Sequence, residues 1–161
     1  MRVSSSEHTA DAGPRTTATG IIGIGVDIVE REKVASFWLR HLRRAGEAMI
    51  TPGEWHECLG EGAGGAEFPR KLSEGNVRYL AERFAAKEAT MKVLGAGIDA
   101  GHDMKDIEVL GRGRLAITLA GAWAAKARQR GIRRFHGSCS SGRHYAVACV
   151  IGEGSDETPM E

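Results

Sequence analysis

The run Arg83-Phe84-Ala85-Ala86-Lys87-Glu88-Ala89-Thr90-Met91-Lys92 constrains this chain most. Its alanines and long straight side chains are good helix formers, and Gly and Pro are absent, so it reads as helix. On a 3.6-residue period, Val77, Ala81, Phe84, Ala85, Glu88 and Met91 share one face. Glu88 then sits on an apolar stripe, where an unpaired carboxylate costs several kcal/mol or takes up a proton. Lys92, one turn on, is one partner within reach, in an i,i+4 pair worth roughly 0.3–0.5 kcal/mol at a surface. A metal ion is the other.

The segments around this helix are legible in outline. Residues 21–29 form a β-rich apolar run that reads as a buried strand. A helix is expected over 31–44. Thr51-Pro52-Gly53-Glu54 is a capping box with Pro at the first helical position, and it opens a short helix to about Leu59. Residues 60–69 read as a Gly-rich loop. The long helix is expected over 73–94, stopped by Gly95 and Gly97. Residues 106–110 and 114–119 read as a hairpin around Gly111-Arg112-Gly113. An Ala-rich helix over 119–130 closes at Gly131. A second hairpin pairs 133–139 with 144–151. The order implies an α+β fold, an antiparallel sheet packed with a long central helix.

Composition narrows the function classes. The formal net charge is +1, so no basic footprint argues for nucleic acid. No stretch reads as a membrane span or a secretory signal. The 3 cysteines, Cys58, Cys139 and Cys149, form no CxxC pair and no zinc spacing, which fits a reduced, cytoplasmic chain. Cys149 alternates with apolar strand residues and reads as a small core hydrophobe. Residues 1–19 read as a disordered leader, 20–152 as one domain, and 153–161 as an acidic flexible tail.

Four elements could converge on one chemistry. Asp27 ends the first strand, where a carboxylate either caps a turn or ligates a cation. Asp27 and Glu88 together suit a hard divalent ion such as magnesium, which keeps waters and takes phosphate oxygens. Arg83, Lys87 and Lys92 are either a solvated basic face or cations that bracket a polyphosphate. The Gly95–Gly97 turn is either an ordinary helix stop or bare backbone that a phosphate can approach.

The stretches GIGVDIVE (23–30), TPGEW (51–55), RFAAKEATMKVLGAGI (83–98) and HGSCSSGRHYAVACV (136–150) together resemble the holo-[acyl-carrier-protein] synthases. These are the small, single-domain branch of the 4'-phosphopantetheinyl transferase superfamily. The resemblance implies that fold, a homotrimer with active sites at subunit boundaries, and transfer of phosphopantetheine from coenzyme A to a serine of an acyl carrier protein. Adenosine 3',5'-bisphosphate would leave. It further implies that Asp27 and Glu88 hold Mg2+, that Lys92 lies beside the pyrophosphate, and that Arg83, Lys87, Gly95, His136 and Ser138 lie near the coenzyme. Asp27, Glu88 and Lys92 are the catalytic candidates, and the base that deprotonates the acceptor serine is open among them. The resemblance also gives the basic residues Arg31, Lys33, Arg40, Arg43 and Arg44 a role in docking the acidic carrier.

Two positions depart from the family pattern. Ser141 stands where a histidine is usual, and Lys33 where an arginine is usual; lysine keeps the charge but loses the bidentate fork. The Ser141 change motivates an alternative, a diverged module that binds carrier protein or coenzyme A without catalysis.

Overall fold

The computed structural model describes residues 20–60, 72–96 and 103–154. Its elements are β1 (Gly20–Glu30), α1 (Arg31–Met49), α2 (Pro52–Leu59), α3 (Glu74–Val93), β2 (Ile107–Leu110), β3 (Arg114–Leu119), α4 (Gly121–Gln129), β4 (Arg134–Ser141) and β5 (Tyr145–Gly154). A short 3-10 turn, Met104–Asp106, precedes β2. The strands form one antiparallel sheet in the order β1-β5-β4-β3-β2. The α+β architecture with a long central helix is the one expected.

Local signals set most boundaries. Thr51 Oγ1 accepts from Glu54 N at 3.2 Å while Thr51 N donates to Glu54 Oε2 at 2.8 Å, so α2 opens on the expected capping box. Ser73 and Asn76 make the equivalent reciprocal cap at the start of α3. Gly95, at φ +65°, ends α3 in a left-handed turn. The helix expected over 31–44 continues to Met49 because a bend at His41 (φ −128°, ψ 19°) joins two helical pieces. β5 runs to Gly154, so the tail expected from 153 begins inside the sheet. Residues 1–19, 61–71 and Gly97 lie outside the described residues, and with them the leader and most of the expected Gly-rich loop.

The core lies between α3 and one face of the sheet, around Ala85, Ala89, Val93, Trp123, Ala148 and Val150. α3 comes very close to β1. A Cβ on Gly25 would lie 1.9 Å from the Ala89 carbonyl oxygen, and one on Gly152 would lie 2.7 Å from Val93 Cγ1. Glycine at position 25 lets helix backbone rest on strand backbone, and glycine at 152 makes room for the Val93 side chain.

Three expectations need correction. β1 is an edge strand rather than a buried one. Ile21 (64% exposed), Ile24, Val26 and Ile28 face outward, because side chains alternate and only one face of the strand meets α3. Cys149 shares that open face with Tyr145 and Val147 and is exposed rather than core. α3 carries no simple apolar stripe: Arg83, Lys87 and Thr90 are buried alongside its alanines, and Glu88 is half-buried.

The seat of α3 is testable. Gly25→Ala should cost about 1–3 kcal/mol or more in urea denaturation, since neither backbone can give way without moving the helix. Gly142, which has open space at its Cβ position, should accept alanine within about 0.5 kcal/mol.

Candidate functional site

Asp27 faces α3 near the end of β1, in one row with Ala148 of β5 and Cys139 of β4. Lys92 reaches it from the last turn of α3. Its ammonium donates to Asp27 Oδ1 at 2.7 Å and to the Val26 carbonyl oxygen at 2.8 Å. Glu88, one turn earlier, completes the cluster. Burial pushes its carboxyl above the ordinary value of 4.5, and the negative charge of Asp27 pushes it the same way, against a smaller opposing pull from Lys92. Lys92, one of the two partners open to Glu88 in the sequence, hydrogen-bonds the second carboxylate instead.

Two carboxylates that repel one another, one of them half-buried, could hold a cation. Among the described residues no three His, Cys, Asp or Glu side chains converge. A pair of carboxylates fits magnesium, which takes one or two protein carboxylates and fills its other positions with waters and phosphate oxygens. It does not fit a metal that needs an all-protein cage.

Arg83 and Lys87 do not line this site. The Lys87 side chain, 1% exposed, pairs with Glu54 Oε2 at 2.9 Å and donates to the carbonyl oxygens of Met49 (2.6 Å) and Met104 (3.2 Å). Glu54, 0% exposed, also accepts from Val109 N at 2.8 Å. Burial pulls the Lys87 ammonium down and pushes the Glu54 carboxyl up, and their mutual attraction opposes both shifts. Arg83, also fully buried, donates to the carbonyl oxygens of Val109 (3.0 Å) and Gly111 (2.8 Å), and its guanidinium lies 4.6 Å from the centre of the Tyr79 ring. Both cations bind α3 to its neighbours, so the coenzyme-binding role expected for them is replaced by a structural one. Gly95 is likewise a helix stop here: its N–H donates to the Lys92 carbonyl oxygen at 3.1 Å.

His136 and Ser138 lie on the other side of the sheet. In the register, His136 stands beside Ile151 and Ile24, and Ser138 beside Cys149 and Val26, all on the open apolar face. His136 Nε2 is 2.6 Å from Glu153 Oε2, and this bond pulls the Glu153 carboxyl below its ordinary range. Within one chain the sheet separates these two residues from Asp27 and Glu88.

Residues 23–150 match the family model of the 4'-phosphopantetheinyl transferase superfamily. A holo-[acyl-carrier-protein] synthase of Edwardsiella ictaluri is 38% identical over 83% of this chain and 98% of its own length. The chain belongs to the 4'-phosphopantetheinyl transferase superfamily. Within it, the chain is an enzyme of the holo-[acyl-carrier-protein] synthase branch. Two solved structures agree. The ADP-bound acyl carrier protein synthase of Plasmodium yoelii has a TM-score of 0.71 and 26% identity, covering 86% of this chain and 99% of that one. A holo-(acyl-carrier-protein) synthase of Bacillus anthracis in complex with CoA (3',5'-ADP) has a TM-score of 0.61 and 27% identity, covering 84% and 99%.

Several features of this transferase were not anticipated from sequence. Arg31, expected in an exposed basic patch, is 5% exposed and donates to the carbonyl oxygens of Gly142 (2.8 Å) and Arg143 (3.0 Å) and to Glu74 Oε1 (3.1 Å), which ties the β4–β5 turn to the start of α3. Lys33 and Arg40 remain exposed. The side chains of Arg43 and Arg44 lie outside the described residues. The Ser141 hydroxyl donates to Glu82 of α3, so the departure from the family pattern has a partner of its own. An apolar groove of about 820 Å³ is walled by Ile28, Phe37, Trp38, Phe84 and Met104. Its aromatic residues, Phe37, Trp38 and Phe84, were the available signal.

Glu88 gives a stability prediction. Because its folded-state carboxyl titrates above 4.5, the folded chain favours its neutral form. The cost of keeping it ionised is absent below pH 4.5 and grows as the pH rises through the folded value. With a chelator present, Glu88→Gln should therefore raise Tm by a few degrees at neutral pH, and the gain should vanish in acid. Scanning calorimetry across pH checks this; a lower Tm at neutral pH would contradict it.

Proposed function

We propose that this chain transfers 4'-phosphopantetheine from coenzyme A to a serine of an apo acyl carrier protein, with release of adenosine 3',5'-bisphosphate and dependence on Mg2+. The observation that carries the reading is the meeting of Asp27, Glu88 and Lys92 at the contact of β1 and α3. Asp27 and Glu88 would hold the ion, which when bound would neutralise charge on the pyrophosphate oxygens. Lys92 supplies a mobile positive charge for the same oxygens. Its ammonium donates hydrogen bonds to Asp27 and Val26, so it acts as a cation rather than as the base, and the acceptor serine would give its proton to a carboxylate of the pair. The exposed cations Lys33 and Arg40 on α1 suit the approach of an acidic carrier.

The open sheet face supports a homotrimer. Ile21, Ile24, Val26, Ile28, Tyr145 and Val147 make an apolar surface larger than scattered residues would leave. Packing it against a second copy would bring that copy's Asp27 cluster near the His136 and Ser138 face, which one chain alone keeps apart. These two residues would then contact the coenzyme from the neighbouring subunit.

The test is to mix the protein with coenzyme A, Mg2+ and a panel of apo carriers, weigh the carriers by mass spectrometry, and measure the enzyme's own mass by light scattering. A gain of one phosphopantetheine, lost with chelator or with Asp27→Asn, and a three-chain enzyme are the expected results. No gain on any carrier would favour the non-catalytic alternative, which Ser141 motivates.

A further inference from the structure

We infer that Lys92 is a placeholder cation on Asp27 and that its displacement couples metal binding to donor binding. The inference rests on the reading of Asp27 and Glu88 as metal ligands. Lys92 and an incoming ion compete for the charge of one carboxylate. The ammonium sits 2.7 Å from Asp27 Oδ1 and takes the Val26 carbonyl oxygen at 2.8 Å as its second acceptor. An ammonium and a divalent ion held on one carboxylate repel one another, weakly in water and more where water is excluded. Binding of the ion at Asp27 therefore favours the departure of Lys92.

The side chain is built to leave. It is 52% exposed, against 16% for Asp27, and its four-carbon stem swings freely. What it lacks after leaving is a charged acceptor. Its departure gives up two hydrogen bonds to the protein, one of them to a carboxylate. An anionic diphosphate beside the ion supplies the missing oxygens. The charge balance runs the same way: two carboxylates and one ammonium carry one net negative charge, and a divalent ion converts this to one net positive charge, which the diphosphate answers. Each ligand should then bind more tightly when the other is present, and by linkage the factor is the same in both directions. Lys92 thereby discourages the ion from occupying the site before the donor arrives.

The experiment titrates Mn2+ by electron paramagnetic resonance into the full chain, alone and with coenzyme A, using wild type, Lys92→Met, Arg128→Met and Asp27→Asn. Expected coupling energies make the effects about tenfold. Wild type should bind Mn2+ alone weakly and about tenfold more tightly with coenzyme A. Lys92→Met should bind Mn2+ alone about tenfold more tightly than wild type, with most of the coenzyme's enhancement lost. Arg128→Met, which removes an exposed cation on α4, should behave as wild type. Equal Mn2+ affinity in Lys92→Met and wild type would overturn the inference, as would an equal gain in Arg128→Met. Retained Mn2+ binding by Asp27→Asn would instead overturn the metal-site reading beneath it. In wild type, NMR of the lysine ammonium groups gives a check free of substitution: the Lys92 signal should shift on addition of Mg2+ with coenzyme A, and an unmoved signal would contradict the displacement.

Discussion

The contact of α3 with β1 at Gly25 is the constraint on which the rest depends. A glycine hydrogen is all that fits between the strand and the Ala89 carbonyl oxygen. This close approach places Glu88 and Lys92, on either side of Ala89 in the chain, next to Asp27, two positions beyond Gly25. A bulkier residue at Gly25 would hold the helix off the strand and open the carboxylate pair. The site's geometry is thus a consequence of backbone packing before any side chain makes a choice.

A helix with this many charges can be central only because its buried charges have partners. Lys87 spends its three protons on Glu54 and two carbonyl oxygens, and Glu54 accepts two backbone N–H groups besides. Losing one partner of such a pair leaves a buried charge uncompensated, a cost of about 3–5 kcal/mol. Arg83 is held by carbonyl oxygens and an aromatic face. Glu88 differs in kind. Burial and the Asp27 charge both work against its ionised form, and the nearest ammonium is committed to Asp27. The paired charges of α3 are at rest, while Glu88 is left in tension.

Local chemistry made much of this legible in the sequence. The Thr51 capping box, the Ser73 start of α3 and the glycine turn at Gly95 lie within a few residues, so reading them needs no tertiary knowledge. Glu88 was legible because a carboxylate amid alanines needs an explanation. What escaped was direction. Arg83 and Lys87 read as solvated or substrate-facing because their partners, Glu54 and the carbonyl oxygens before and within β2, come from distant segments. The apolar run of β1 could not reveal that one of its faces stays open, since an edge strand with an apolar outer face and a buried strand share one pattern. Cys149 was misplaced for the same reason, and Arg31 because a buried arginine and a surface arginine look alike in a basic run.

A single chain keeps two groups of candidate residues apart: carboxylates and lysine against α3, and histidine and serine on the open apolar side. The proposed mechanism turns on an ion held by Asp27 and Glu88. A crystal structure of the protein with Mn2+ and coenzyme A, phased to show the anomalous signal of manganese, tests this most directly. The account predicts one peak per site, bridging an oxygen of Asp27 and an oxygen of Glu88. A peak held by other residues, or none beside these two carboxylates, would contradict it.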